Sequence, residues 1–271
     1  FSISDCQSII KKAIVERLKA KYKISWFDET GSLYKIRFHI HKDIVNMMID
    51  TSGDGLHKRG YRKKSTDAPI KETLAAAMVK LARIYDDTNL IDPFCGSGTI
   101  LIEAALQAMN IAPGINRKFL AQNWNNFNQS VWTTEKERAE SVVKRDIKFT
   151  ATGYDIDPDA VELAFHNEYK AGVSDKVKVT QRDVKNFLLD SDRGIVICNP
   201  PYGERLLDTK EAKGIYRIMG DRFVQKHGWK YYVITSDEDF EEAFGRKADK
   251  RRKLYNGMIK CQYYQYFRTP R

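Results

Sequence analysis

From Asn89 to Phe267 short apolar runs alternate with amphipathic segments, and the early runs stop at an Asp or an Asn. The runs are Asn89–Ile91 before Asp92, Thr150–Asp155, Lys176–Gln181 ahead of Asp183, and Gly194–Cys198 before Asn199. Runs of this length, bounded by turn residues, read as buried strands. The segments Ile70–Ile84, Thr99–Leu106, Pro158–Ala171, Glu211–His227 and Asp237–Phe244 have helical periodicity. Strand–helix alternation of this kind makes a parallel sheet covered by helices on its faces. Lys230–Thr235 continues the pattern, and Arg251–Tyr255 and Met258–Phe267 flank a hairpin signal at Asn256-Gly257. The expected fold is therefore α/β, a mostly parallel seven-stranded sheet with an antiparallel edge hairpin.

Ligands of such sheets bind at the carboxyl ends of the strands, so the strand ends carry the functional reading. After Asn89–Ile91 the chain runs Asp92-Pro93-Phe94-Cys95-Gly96-Ser97-Gly98-Thr99 into a helix. Gly96 and Gly98 either form a tight turn or let a ligand approach the backbone. No Gly-Lys-Ser/Thr follows, and the third Gly of a dinucleotide fingerprint is missing. A nucleoside ligand without phosphate fits this better than a nucleotide. Asp155 closes the next strand and suits a ribose diol, whereas Asp157 is placed to cap the helix opened by Pro158. Asp183, after the third strand, either accepts from an adenine amino group or caps a short helix over Val184–Leu189.

At Asn199-Pro200-Pro201-Tyr202 the prolines end the strand, because neither can donate to a ladder. The corner is either a plain turn or a grip for an exocyclic amino group. In the second case the Asn199 side-chain oxygen and the Pro200 carbonyl accept from the amino hydrogens, and the Tyr202 ring stacks on the base.

The amino-terminal part is different. Ser4–Lys23 reads as an amphipathic helix capped by Ser4 or Asp5, and Leu33–His41 and Ile44–Ile49 read as strands, too little to bury a core alone. Thr51–Pro69 is a linker whose Lys58, Arg59, Arg62, Lys63 and Lys64 either contact phosphates or coat a solvated hinge. Lys247, Lys250, Arg251, Arg252 and Lys253 offer a second basic stretch with the same two readings. A net charge of +10 favours a polyanionic partner. Ile111–Thr150 is long for a connection and reads as an insertion, over about 111–149, carrying a helix at Thr133–Arg145. The four dispersed cysteines and five histidines show no metal-ligand spacing. No run is long enough to span a bilayer and no signal peptide is evident, so reduced thiols in a cytoplasmic protein are expected. The chain opens on Phe1, which reads as the start of a piece of a longer protein.

The strand-end set resembles the class I S-adenosylmethionine-dependent methyltransferases that methylate amino groups. Asp92–Thr99 is similar to their first motif, Tyr154-Asp155-Ile156-Asp157 to the second, and Asn199-Pro200-Pro201-Tyr202 to the fourth. Asp50–Arg62, Ala68–Ala77 and Ile111-Ala112-Pro113-Gly114 resemble THUMP-domain RNA methyltransferases. Among these are the bacterial enzymes that make N2-methylguanosine in large-subunit ribosomal RNA, often labelled N6-adenine-specific DNA methylases. The resemblance implies a Rossmann-like methyltransferase domain over 70–271, a basic linker over 51–69, and the end of a THUMP-containing RNA-binding module over 1–50. It implies S-adenosylmethionine as cofactor, held by Asp92, Phe94, Gly96, Gly98, Asp155, Asp183 and Asn199, with Thr73 near its methionine end. It also implies catalysis by Asn199, Pro200 and Tyr202 without a metal, and a ribosomal RNA partner. Adenine-N6 methylation of DNA and guanine-N2 methylation of transfer RNA are the alternatives.

Overall fold

The computed structural model describes residues 2–62, 69–202 and 209–268. Lys63, Lys64 and the Gly203-Glu204-Arg205 end of the Pro-Pro corner lie outside the described residues. The chain divides into two compact units, Phe1–Thr51 with Leu120–Phe127, and Ser52–Phe119 with Asn128–Arg271.

The first unit holds helix α1 (Ile3–Tyr22) and an antiparallel pair, β1 (Lys35–His41) and β2 (Ile44–Asp50). The cap of α1 is Ser2, whose hydroxyl accepts from the Asp5 amide, so neither Ser4 nor Asp5 serves. No residue of α1, β1 or β2 is fully buried. The buried side chains of this unit, among the described residues, are Ala121 and Trp124. Trp124 stacks on Tyr34 with ring centroids 4.7 Å apart and donates its indole N–H to the Leu33 carbonyl at 2.9 Å. Tyr34 donates to Asn126 at 2.7 Å, and the Ala121 amide donates to the Thr51 carbonyl at 3.0 Å. The stretch read from sequence as part of an insertion thus supplies the packed centre of the amino-terminal unit. A helix and a hairpin present too little apolar area to close on themselves.

The second unit is built on a seven-stranded sheet. Its strands are β3 (Asn89–Asp92), β4 (Thr150–Asp155), β5 (Val177–Gln181), β6 (Gly194–Cys198), β7 (Trp229–Thr235), β8 (Lys250–Asn256) and β9 (Ile259–Tyr266). They lie in the order β5-β4-β3-β6-β7-β9-β8, with β5 through β7 parallel and β9 antiparallel to both β7 and β8. The strand order reverses at β3, so a crevice opens beyond the ends of β3 and β6, the switch point of a doubly wound sheet.

Two apolar cores cover the two faces of this sheet. One includes Met78 and Val79 of α2 (Glu72–Ala82) and Leu101 and Ala104 of α3 (Thr99–Ala108), packed with Leu90, Ile197, Ile234 and Tyr263. The other gathers Tyr216 and Met219 of α6 (Thr209–Arg222), Phe223 beyond its end, and Phe240 and Phe244 of α7 (Phe240–Phe244) against Val196, Val233 and Tyr264. Helix α4 (Gln129–Ser141) begins ahead of the expected Thr133, because the Asn128 side chain caps it by accepting from the Ser130 amide at 3.0 Å. Helix α5 (Pro158–Ala171) starts as its sequence predicts, with Asp157 accepting from the Asp159 amide at 2.9 Å. Gly98, ahead of α3, has φ +78°, and a Cβ there would sit 3.1 Å from the Ala164 Cβ of α5. Both constraints call for glycine, so the turn and the α3–α5 approach are set by one residue.

Candidate active site

A cavity of about 1030 Å³ lies at the carboxyl edge of the parallel strands, at the upper end of the usual size for small-molecule sites, about 300–1,000 Å³. Asp92, Phe94, Gly96, Asp155, Asp183 and Asn199 all line it. The sheet explains the convergence. Parallel strands in register end together, so Asp155 and Asn199, 63 and 107 positions after Asp92, meet it at one edge.

Asp92 is fully buried at the end of β3. One of its oxygens accepts from the Phe94 amide at 3.1 Å, while Oδ2 has no hydrogen-bond partner among the described residues. Burial pushes its carboxyl well above the usual carboxylate range, the Phe94 amide opposes this, and the neighbouring Asp155 charge adds to the rise. Asp155 ties β4 to the glycine turn. Its Oδ2 accepts from the Gly96 amide at 2.8 Å and its Oδ1 from the Asp157 amide at 3.1 Å. Each oxygen keeps acceptor capacity for a hydroxyl. Asp183 caps the short 3-10 turn Val184–Asn186, accepting from the Lys185 amide at 2.8 Å, and also lines the cavity. The cap uses Oδ1, while Oδ2 has the Lys185 ammonium 3.9 Å away, so capping does not exclude an acceptor role for Oδ2.

Behind the glycine turn, Asn167 donates to the Ser97 carbonyl at 3.0 Å, and the adjacent Glu168 is buried with Oε2 unpartnered among the described residues. Burial raises the Glu168 carboxyl to about 7. Cys95 and Cys198 are buried and their thiols are pushed up, chiefly by burial, so neither is an activated thiolate.

At the end of β6, Asn199 lines the cavity, and its Oδ1 is buried with no donor among the described residues. An amide oxygen hidden from water without a partner is costly, of order 1–3 kcal/mol, and such cases call for an explanation. Pro200, Pro201 and Tyr202 line the cavity beside it. The Tyr216 hydroxyl, 3.1 Å from Thr235, reaches the Pro201 carbonyl at 3.5 Å. The Tyr202 hydroxyl accepts from the Asn256 amide at 3.2 Å and meets the Cys261 thiol at 3.6 Å. Burial raises its pKa, which keeps it neutral.

Several sequence expectations land elsewhere. Thr73 is exposed in the first turn of α2 and does not line the cavity; Pro69 and Ile70, just ahead of α2, do. Gly98 stands behind the cavity wall, packed on α5. Arg59 and Arg62 are not open phosphate contacts. Arg59 pairs with the buried Glu103 at 3.3 Å, and Arg62 pairs with the buried Glu72 at 2.7 Å while donating to the Ile70 carbonyl and Thr99 hydroxyl. The Tyr61 hydroxyl also donates to Glu103, at 3.1 Å. Buried carboxylates need cations, and these two arginines supply them. Lys58 remains exposed, beside Asp54 at 3.3 Å. Asn256 and Ile259, from the closing hairpin, line the cavity, although the sequence marked Asn256 only as a turn residue; their reach depends on the antiparallel register of β8 and β9. The hairpin loop is Gly257-Met258, one residue later than the Asn-Gly signal suggests, which leaves Asn256 in the ladder opposite Ile259. No group of three or more metal-ligating side chains occurs among the described residues, and no described helix is long and apolar enough to cross a membrane.

Comparison with known proteins gives this geometry a family. The RMKL-like methyltransferase domain matches residues 59–265, and the THUMP domain matches residues 1–50. The chain belongs to the RMKL-like methyltransferase family. Among its RMKL-like relatives, YpsC of Bacillus subtilis (strain 168), provisionally named an RNA methyltransferase, is 46% identical over 100% of this chain and 71% of its own length. The ribosomal RNA large subunit methyltransferase K/L of Shewanella sp. (strain W3-18-1) is 38% identical over 95% of this chain, which spans only 37% of that protein. The crystal structure of SMU.472, a methyltransferase by provisional name and complexed with SAH, superposes with a TM-score of 0.90 at 42% identity, covering 98% of this chain and 70% of its own. The RMKL-like domain carries the sheet and the cavity, and the THUMP match covers α1, β1 and β2.

Proposed function

We propose that this chain transfers a methyl group from S-adenosylmethionine to an exocyclic amino group of a nucleobase in RNA, and that the acceptor is the N2 of a guanine in large-subunit ribosomal RNA. The cofactor and the RNA class rest on the SAH-bound relative, the THUMP match and the names of the relatives. The choice of large-subunit ribosomal RNA rests on the K/L relative, and that of guanine N2 on the resemblance of the sequence motifs to N2-methylguanosine-forming enzymes; the acceptor corner supports an exocyclic amino group without selecting the base. The observation that carries the reading is the Asn199 side-chain oxygen, buried and without a donor, in the same cavity as Asp92 and Asp155.

The residues present fit S-adenosylmethionine. Asp155 offers carboxylate oxygens for a ribose diol, Asp183 offers one for an adenine amino group, and Phe94 and Ile156 give apolar wall. The buried Oδ2 of Asp92, without a partner among the described residues, suits a cationic ligand nearby, since a positive charge there favours the ionised carboxylate that burial disfavours. The bound cofactor supplies an activated methyl group on its sulfonium. Asn199 Oδ1 and the Pro200 carbonyl would accept from the amino hydrogens and orient the nitrogen lone pair for transfer, so that the growing positive charge meets two acceptors. The methylated nitrogen would then lose one proton to solvent, with neutral SAH as the second product. Tyr202 presents its ring to the base, in the manner of sites that take a base out of its stack.

The test is transfer of labelled methyl to ribosomal RNA, transfer RNA and DNA kept apart, followed by digestion to nucleosides. Label in N2-methylguanosine from ribosomal RNA is the expected result. Label in N6-methyladenine from DNA, or in transfer RNA alone, overturns the substrate choice.

A further inference from the structure

The β8–β9 hairpin ends beside the acceptor corner, and its tip has a chemistry the methyl-transfer site does not use. Asn256 and Ile259 line the cavity, and between them stands the two-residue loop Gly257-Met258. Gly257 takes φ +65°, which an L side chain rarely adopts, so the tight turn is available to this residue at little cost. Met258 is 97% exposed. A single exposed apolar side chain is ordinary on a protein surface. What sets this one apart is its place, two positions after cavity-lining Asn256 and one before cavity-lining Ile259.

The loop is also anchored. Asn256 donates to the Tyr202 hydroxyl and Cys261 lies against the same oxygen, so the base of the hairpin is tied to the corner that carries Asn199. Along the edge strand β8, Lys250, Arg252 and Lys253 are exposed, and Lys260 follows the loop on β9. The hairpin therefore combines a rigid base, a basic flank and an unbranched apolar tip. An anionic strand is attracted to the flank. Apolar side chains such as Met or Leu can enter a base stack where one base has left it.

We propose that Met258 is a wedge that enters the RNA stack at the step from which the target base is withdrawn into the cavity. It would occupy the gap between the neighbouring bases while Tyr202 receives the extruded ring. This rests on the RNA reading above. A protein partner at the same tip is the competing occupant, and the experiment below separates the two.

The full chain is assayed for methyl transfer to a large-subunit ribosomal RNA transcript, either folded with magnesium or held unfolded by heating and chelation. The readout is the ratio of transfer to folded over unfolded RNA, with SAH affinity and thermal melting as controls on folding. Met258→Ala should lower that ratio about tenfold, the scale expected of an apolar side chain that helps hold an unstacked step. Met258→Leu should restore it, because any flexible apolar side chain of similar size can fill the gap. A ratio unchanged in Met258→Ala, as a protein-contact role would leave it, overturns the wedge while the methyl-transfer reading stands. So does a ratio that Met258→Leu leaves as low as the alanine variant. Absence of transfer by the wild type to either form overturns the ribosomal RNA reading, and the wedge with it.

Discussion

The Asn256 amide donates to the Tyr202 hydroxyl across 3.2 Å, joining the closing hairpin to the Pro-Pro corner 54 residues earlier. Tyr202 is half-buried and lines the cavity, so this bond anchors the hydroxyl end of the ring that, under the proposed function, receives the base. Asn256→Ala and Tyr202→Phe each remove one half of the bond. Each should lower kcat by about fivefold, the equivalent of a net hydrogen bond near 1 kcal/mol, with SAH affinity retained. The double variant should lose no more than either single one. Additive losses would show that Asn256 acts independently of Tyr202.

Asn199 and Asp155 should separate transfer from cofactor binding. Asn199→Ala removes the buried acceptor and should reduce kcat by about 10²–10³-fold, the scale of losing one preorganised partner at a developing charge, while SAH affinity measured by calorimetry changes little. Asp155→Ala removes the partner of the Gly96 amide and the acceptor for a diol, and should weaken SAH binding by about 1.5–3 kcal/mol. Near-normal turnover in Asn199→Ala would remove the amino grip from the mechanism. Unchanged SAH affinity in Asp155→Ala would reassign the ribose site.

Glu168 should make stability depend on pH. Burial raises its carboxyl from 4.5 to about 7 in the folded protein. Between these values the folded chain keeps a proton that the unfolded chain releases, so stability falls as pH rises through the window. The loss should be about 1–3 kcal/mol. Glu168→Gln keeps the shape without the charge, and should flatten the melting temperature between pH 5 and pH 8 and melt above the wild type at pH 8. Parallel pH profiles for the two proteins would exclude Glu168 as the source.

The basic linker should split into structural and solvent-facing cations. Arg62→Ala leaves Glu72 buried without its cation, and should destabilise the fold by about 3–5 kcal/mol. Lys58 and Asp54 are both exposed, and their pair contributes at most about 1 kcal/mol. Lys58→Ala should leave melting nearly unchanged, and if Lys58 meets phosphate it should lower the salt dependence of RNA affinity by about one counterion. Equal melting of the two variants would show that the buried pair is not what Arg62 provides.

Much of the site was legible because its residues sit at the ends of local patterns. An apolar run followed by Asp92, Asp155 or Asn199 marks a strand end wherever the strand lies in the sheet. Asp157 and Pro158 mark a helix start for the same reason, since a cap acts within one turn. The basic linker was misread because Arg59 and Arg62 look alike in sequence to Lys58. Their partners, Glu103 and Glu72, stand 44 and 10 residues away on α3 and α2. Residues 120–127 looked like part of an insertion, and only the packing of Trp124 on Tyr34 assigns them to the other unit.

By itself the sequence determined the alternation of strands and helices, the turns and caps between them, and which residue types close each strand, because periodicity, proline geometry and capping act over a few residues. Only the tertiary structure decided which charges are buried in pairs, that Asn199 keeps a side-chain oxygen without a partner among the described residues, and that Asn256 and Ile259 line the same cavity. Those depend on strand order and register, which bring together residues whose separation along the chain carries no record of their contact.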